Sequence, residues 1–278
     1  MTIALVTDST ADLPEDITKQ YDIHVIPNVL VIDGMSLEEG IDITRKEFYE
    51  RLPYYETYPT TSTASPGTYH KIYDKLIQQG AETVLSIHVS ENLSGIYSSA
   101  CTAAKAFGER VRVVNSQQIT LGLGFQVLAA AEGITRGLGL DAILNIVDDV
   151  RKRALVVAML DTLEYVALSG RVSWARARIG NLLRVKPFIK VIRGEVLRIG
   201  DSRTRTRGIQ RLKKMLLDLG PLERLAILHS NAEADAKRIM DELSPDLPTN
   251  PLIVNVTTVI GVHIGQNGLG FAAVVEKT

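Results

Sequence analysis

Residues 83–107 read TVLSIHVSENLSGIYSSACTAAKAF. The first seven form a short apolar run rich in β-branched side chains, which predicts a buried strand, and Ile96 to Phe107 have the spacing of a helix. The polar residues between them predict a loop at the carboxyl end of the strand. This strand–loop–helix order is the unit from which helix-covered parallel sheets are built.

The same alternation runs through the first half of the chain. Further strands are predicted at residues 3–6, 23–26, 28–32 and 110–114. One helix is predicted to open at Leu13-Pro14-Glu15, and others at residues 65–77, 124–131 and 141–152. Near residue 150 the pattern changes to a strand, a short helix, a basic helical stretch, a hairpin turning at Arg193-Gly194, two more helices and the last strands. We therefore predict two domains, a mostly parallel α/β domain with helices on both faces over residues 1–150 and an α+β domain over residues 151–278, with the ligand between them.

Composition limits the functions that remain. The chain has 278 residues, of which 45% are hydrophobic and only 5% aromatic, so aliphatic side chains must fill the core. A single cysteine, Cys101, excludes an intrachain disulfide, and neither a signal peptide nor an apolar run of about 18 residues is present, so we expect a cytoplasmic protein. No phosphate loop, dinucleotide fingerprint, nucleophile elbow or metal-ligand cluster occurs, so we expect no cofactor and no metal.

Charge is unevenly distributed along the chain. The formal net charge is −1, yet residues 171–214 contain fourteen Lys or Arg and two acids, a local charge near +12. Such a segment favours an anionic partner, and a solvated helix face balanced by acids elsewhere is the ordinary alternative. The segment lacks a nucleic-acid-binding motif, so we expect no nucleic acid and at most transient membrane contact.

Three segments rich in small donors are candidate anion sites. The first, residues 60–67, contains Thr61 and Ser62. The second is the loop after the buried strand, where Ser94 and Gly95 precede a helix and offer a hydroxyl, free amide groups and room for close approach. The third is a glycine-rich loop at residues 260–270 around His263. Each residue has an ordinary alternative role, as a helix cap, a turn residue or a structural histidine.

Taken together, these segments resemble the DegV family of bacterial fatty-acid-binding proteins. The resemblance rests on five ordered motifs: residues 6–14 (VTDSTADLP), Thr61-Ser62 with Ser65-Pro66, Leu93-Ser94-Gly95 with Tyr97, Leu163-Glu164-Tyr165 with Gly170-Arg171, and residues 261–265 (GVHIG). It covers nearly the whole chain.

The resemblance implies a fatty-acid-binding carrier protein rather than an enzyme. Its ligand is a long-chain fatty acid such as palmitate, with the carboxylate bound by Thr61 and Ser94 and accompanied by His263. Ser62 and Gly95, from the same two motifs, are also expected to be lipid-binding residues. The family also implies a fatty-acid kinase as partner, which phosphorylates the bound carboxylate, and Arg171 as a residue that contacts it. The main alternative is a stand-alone hydrolase that uses Ser94 and His263.

Overall fold

The computed structural model of the chain describes residues 2–170, 185–243, 247–248 and 250–277. The described strands are β1 (Ile3–Asp8), β2 (Ile23–Ile26), β3 (Val29–Ile32), β4 (Met35–Glu38), β5 (Thr60–Ser62), β6 (Thr83–His88), β7 (Val111–Asn115), β8 (Ala154–Met159), β9 (Lys186–Ile192), β10 (Glu195–Ser202), β11 (Leu222–His229), β12 (Leu252–Asn255) and β13 (Leu269–Val275). The described α-helices are α1 (Glu15–Gln20), α2 (Arg45–Arg51), α3 (Pro66–Gln78), α4 (Ile96–Ala104), α5 (Leu121–Thr135), α6 (Leu140–Arg153), α7 (Glu164–Ser169), α8 (Arg205–Leu217), α9 (Glu233–Leu243) and α10 (Thr258–Ile264).

Four strands of the first half form the predicted parallel sheet. Its order is β2-β1-β6-β7, and every neighbouring pair is parallel. All six residues of β6 are buried, as expected for a strand covered on both faces. Side chains from α3, α4, α5 and α6 complete the core around this sheet. The predicted α/β fold class is confirmed.

A six-stranded mixed sheet occupies the second half, in the order β10-β9-β8-β13-β11-β12. Successive side chains of β8 point to opposite faces of this sheet. Leu155, Val157 and Met159 point toward α8 and α9, whereas Val156 faces the first half of the chain. The hairpin between β9 and β10 turns at Arg193 and Gly194 as predicted, and both residues have positive φ, 47° and 80°.

Helix α5 lies where the two sheets approach each other. Leu123 and Val127 belong to the core around the parallel sheet, while Leu121, Phe125 and Ala129 pack toward the six-stranded sheet. A helix that is apolar on all sides is expected to be buried between layers. The division of the chain into two domains at residue 150 stays a prediction.

Two of the segments predicted as loops contain regular structure. Thr60–Ser62 form β5, an edge strand of a small antiparallel sheet of order β4-β3-β5, in which Thr61 lies opposite Leu30. The glycine-rich segment was also predicted wrongly, because its first residues continue α10, which ends only at Ile264. Glycine fits best at position 261 of this helix, because a Cβ there would come within 2.6 Å of the Tyr49 hydroxyl. The predicted basic helical stretch falls mainly on residues 171–184, outside the described residues.

Candidate functional site

A cavity of about 910 Å³, counting the space at its open side, lies on the face of the six-stranded sheet that is turned toward the first half of the chain. The described lining residues are mostly aliphatic: Leu93, Ile119, Thr120, Val156, Ala158, Leu160, Val166, Ser169, Ile189, Val191, Val196, Leu228, His229, Ser230, Val256, Ile260, His263, Ile264, Gly268, Leu269 and Gly270. No Asp, Glu, Lys or Arg is among them. An apolar chain is therefore the ligand that this space fits.

Three layers of the fold build the cavity wall. Strands β8, β9 and β13 supply its floor, including Val156 and Ile189, and α7 and α10 cover one side. Leu93, from the loop after β6, and Thr120, at the start of α5, close it from the first half of the chain. The cavity therefore lies between the two halves, where the sequence predicted a ligand.

Thr61 and His263 meet beside this cavity. The Thr61 Oγ1 atom lies 3.3 Å from His263 Nε2, although 202 residues separate them in sequence. His263, in the last turn of α10, is itself a cavity-lining residue. A hydroxyl and an imidazole at the edge of an aliphatic space can hydrogen-bond a carboxylate whose tail occupies that space.

The C-terminal end of α10 is fixed by aromatic residues. Tyr58 Oη donates a hydrogen bond to the Val262 carbonyl, and the Tyr58 and Tyr165 rings lie 6.0 Å apart. Gly265 ends the helix with φ of 73°, and a Cβ at that position would lie 2.3 Å from the Tyr165 ring. Only glycine fits both the backbone conformation and the close approach.

Ser94 occupies the loop at the carboxyl end of β6, as predicted. Its Oγ accepts a hydrogen bond from the Ile96 amide at 3.4 Å, which is a capping role, and Gly95 is the residue that precedes α4. A Cβ on Gly95 would lie 3.6 Å from Thr63 Oγ1, so this loop meets the chain just after β5. The structure thus brings together the two segments that carry Ser94 and Thr61. Ser94 and Thr61 are not among the described lining residues of the cavity. Their role in binding a carboxylate stays a prediction.

The remaining predicted site residues are placed less favourably. Ser62 is exposed on β5, and because side chains alternate along a strand it points away from the face of Thr61. Arg171 lies outside the described residues. Their proposed roles also stay predictions.

Half of the ten Lys and Arg residues in the described part of the basic segment pair with acids. Lys186, Arg198, Arg205, Lys213 and Lys214 pair with Asp161, Asp201, Asp235, Glu242 and Asp218, respectively. The Arg211 guanidinium donates to the carbonyls of Ile199 and Asp201 and lies 4.9 Å from the centre of the Phe188 ring. For these residues, balance by neighbouring acids describes the structure better than a continuous anion-binding surface.

Two buried carboxylates near the cavity were not predicted from the sequence. Asp12 Oδ1 accepts a hydrogen bond from the Thr257 amide at 2.8 Å, and Glu39 Oε1 accepts one from the Thr258 amide at 2.8 Å. The Arg45 guanidinium lies 3.0 Å from Asp12 and 3.5 Å from Glu39. Thr257 and Thr258 before an apolar run were a helix-start signal, but the glycines that follow favoured a loop.

The chain matches a protein-family model over residues 2–276, and that family is described as the DegV family of uncharacterised proteins. The chain belongs to the DegV family. Protein DegV of Bacillus subtilis is 34% identical over 277 residues, covering 97% of this chain and 98% of the relative. A DegV domain-containing protein of Staphylococcus aureus is 30% identical, with 96% of each chain covered.

Solved structures of DegV proteins have the same fold. A DegV family protein from Thermus thermophilus, described by its fatty-acid binding, superposes with a TM-score of 0.92 at 31% identity, covering 99% of this chain and all of that one. The B. subtilis DegV structure, described as a fatty acid binding protein, gives a TM-score of 0.87 at 33% identity, with 99% and 100% covered. Among the helices described here, none is both long and apolar enough to cross a bilayer.

Proposed function

We propose that this chain binds one long-chain fatty acid, such as palmitate, with its tail in the aliphatic cavity and its carboxylate at Thr61, Ser94 and His263. The observation that carries the proposal is the Thr61–His263 pair beside a cavity with no charged residue among its described lining. The fatty-acid binding named for DegV relatives at 31% and 33% identity supports the same ligand class.

The tail supplies most of the affinity in this proposal. Burying about ten methylenes gives roughly 8 kcal/mol of gross transfer free energy at about 0.8 kcal/mol each. Immobilising the flexible ligand offsets part of that gain. The polar groups then select an acid over an ester or an alcohol, since hydrogen bonds to a carboxylate are stronger than those to a neutral group.

We further propose that the bound acid is presented to a fatty-acid kinase, with Arg171 contacting the partner. The support is the family resemblance together with the position of the headgroup candidates outside the aliphatic part of the cavity. Replacing Arg171 by Glu should leave fatty-acid affinity unchanged and impair acyl-phosphate formation by the cognate kinase. Equal loss of both activities would instead assign Arg171 to the pocket or to folding.

The hydrolase alternative has less support. His263 Nε2 is within hydrogen-bonding distance of Thr61, and Ser94 Oγ accepts the Ile96 amide, so neither of these two contacts joins a serine nucleophile to a histidine base. Asp8, His88 and Ser86 form an Asp–His–Ser chain, but all three residues are fully buried.

The deciding experiment extracts the purified protein and identifies bound lipid by mass spectrometry. We expect one fatty acid per chain, and its loss when Ala158 on the cavity wall is replaced by Phe. The unfolding midpoint of Ala158→Phe, compared with that of empty wild type, checks that the variant is folded. A wild-type preparation that contains no lipid and does not bind added palmitate would contradict the proposal, and conversion of added palmitoyl esters to free acid would favour the hydrolase.

A further inference from the structure

Asp8 ends β1 and Asp12 follows it four residues later, and the second of these aspartates reaches into the other half of the chain. Asp12 lies at the end of a short turn formed by Ser9–Ala11. Its Oδ2 accepts a hydrogen bond from Thr120 Oγ1 at 2.7 Å, and its Oδ1 accepts the Thr257 amide. Thr120 lines the cavity and Thr257 precedes α10, so one fully buried carboxylate contacts both a cavity wall and the start of a helix.

Glu39 binds the same helix end from a different segment. Besides the Thr258 amide, it accepts a hydrogen bond from Thr257 Oγ1 at 2.7 Å and from Ser9 Oγ at 2.8 Å. Thr257 Oγ1 also accepts the Val259 amide at 3.0 Å. The first amide groups of α10, which have no partner within the helix, are thereby satisfied by side chains, two of them from the first half of the chain.

Arg45 balances the two carboxylates. Its guanidinium lies within ion-pair distance of both Asp12 and Glu39, and it also donates to the Asn255 carbonyl at the end of β12. The two carboxylates are almost fully buried, while the arginine is 32% exposed. Buried charges are retained only when paired and hydrogen-bonded, and here each carboxylate has at least three donors.

The helix fixed in this way is the one that carries His263. Five residues separate Thr258 from His263, a rise of about 7.5 Å at 1.5 Å per residue. A displacement or rotation at the amino end of so short a helix therefore also displaces the imidazole of His263. The Thr61–His263 distance therefore depends on how the carboxylates hold α10.

We propose that Asp12 and Glu39 are positioning residues of the headgroup site, which set His263 against Thr61 by fixing the start of α10 and thereby make the acid-selective contact available. The inference rests on the proposed function for its consequence in fatty-acid binding. The placement of the His263 ring, by contrast, can be measured in the empty protein.

A second ion pair between the halves provides a matched control. Arg224 on β11 binds Glu132 on α5 through two hydrogen bonds of 3.0 and 2.6 Å, and neither residue belongs to α10 or to the cavity lining. Replacing Glu132 by Gln removes a carboxylate that joins the two halves and leaves the α10 contacts in place.

The test uses the full chain with isotope-labelled histidine, and the His263 ring signals are assigned by their loss in His263→Gln. Asp12→Asn and Glu39→Gln should each shift these signals in the empty protein, and Glu132→Gln should not. In titrations, both positioning variants should lower palmitate affinity by up to about fivefold, the loss expected when one hydrogen bond to the carboxylate is removed, with little change for hexadecanol. Unfolding curves show whether each variant is folded, and Glu39→Gln serves if Asp12→Asn is not.

The outcomes separate this inference from the proposed function. Unshifted His263 signals in both variants, or an equal shift in Glu132→Gln, would overturn the positioning role. Shifted signals in a protein that binds no palmitate would support the positioning role and refute the proposed function. Shifted signals with equal losses for palmitate and hexadecanol would overturn acid selectivity as the purpose of the placement.

Discussion

Asp8 and Asp12 are four residues apart, both fully buried, and their surroundings differ in almost every respect. Asp8 interacts within the first half of the chain: its Oδ2 lies 2.9 Å from His88 Nδ1, and its Oδ1 accepts the Thr10 amide. Asp12 interacts across the molecule, with Arg45 at 3.0 Å and with the Thr257 amide, 245 positions further along the chain.

The same difference is reflected in ionisation. Burial works against the charged form of Asp8, but the hydrogen bond and charge of His88, with donors from Thr10 and Val89, hold the pKa of Asp8 below its usual range. Burial dominates at Asp12 and raises its pKa to about 7, although Arg45, Thr120 and Thr257 act in the opposite direction and the neighbouring Glu39 adds to the rise. The groups that set the pKa of Asp8 therefore all lie in the first half of the chain, whereas those that set the pKa of Asp12 include Thr257 of the second half.

Removing Asp8 should produce the largest loss of stability. Asp8→Ala leaves His88 and the Thr10 and Val89 amides without their buried acceptor, and we expect the free energy of unfolding to fall by about 3–5 kcal/mol. Urea unfolding at pH 7 measures this loss. Because the pKa of Asp8 is lowered in the folded state, its contribution is present above the unfolded pKa and lost as the pH falls, so the wild type and the variant should converge in acid.

A loss at pH 7 below about 1 kcal/mol would mean that Asp8 is no more important than an ordinary neutral hydrogen bond. Thr18→Ala is a suitable control, since it removes an exposed hydrogen bond to the Glu15 carbonyl in α1, outside both networks.

Asp12 should give the opposite pH dependence. Since its folded pKa of about 7 lies above the model-compound value of 3.8, its contribution is present below pH 4 and is lost as the pH rises toward 7. The stability of the wild type relative to Asp12→Asn should therefore decline over this interval by about 2–4 kcal/mol. Unfolding free energies at half-unit steps from pH 4 to pH 8 test the prediction.

Groups that titrate in both proteins cancel in that difference, and the charged or titratable groups that face Asp12 are Glu39, Arg45 and Tyr49. Tyr49 Oη donates to the Val256 carbonyl at 3.1 Å, and burial keeps its pKa well above the usual value. Repeating the series in an Arg45→Met background should raise the Asp12 pKa further, because the cation that opposes protonation is gone. A difference that grows with rising pH would contradict the assignment.

The fold was predictable where local patterns and burial agree. The mostly apolar, β-branched run of β6, the helix start at Ser65-Pro66 and the turn at Arg193-Gly194 were each predicted from local sequence, and the structure has all three. The segment at residues 260–270 misled because its glycines are typical of loops, whereas residues 260–264 belong to α10. Gly261 instead makes room for the Tyr49 ring, a contact between residues 212 positions apart.

The candidate site was predictable only in part, for a related reason. Thr61, Ser94 and His263 belong to recognisable motifs, and the structure places Thr61 beside His263. Asp12 also belongs to a motif, but its partners Thr257 and Arg45 are determined by tertiary packing, which no local pattern encodes. Glu39 has no motif at all, and its importance follows from the amide groups it accepts.

The Thr61→Ala variant tests whether the contacts that run from Asp12 through α10 to His263 end at a site that binds the carboxylate. Thr61→Ala should weaken fatty-acid binding by about 1–3 kcal/mol, because a hydroxyl donor to the carboxylate is lost. The unfolding midpoint of the empty protein should hardly change. Thr60→Ala is the matched control, since Thr60 is exposed, next to Thr61 and on the opposite face of β5. Equal affinities for both variants, measured by calorimetry, would remove Thr61 from the site.

His263 should contribute least to affinity and most to transfer. The tail carries most of the binding free energy, so His263→Ala should cost only about 1 kcal/mol for palmitate, the value of one hydrogen bond. An imidazole beside a carboxylate can also stabilise the charge that develops as an acyl phosphate forms. If that interaction strengthens in the transition state, kinase-coupled turnover should fall by about tenfold or more, well beyond the loss in affinity.

Paired measurements of palmitate affinity and acyl-phosphate formation with the cognate kinase test this prediction, and Asp12→Asn should reproduce the turnover loss in part. Normal turnover in His263→Ala would leave this histidine as a structural residue of α10, and the contrast between Asp8 and Asp12 would then concern stability alone.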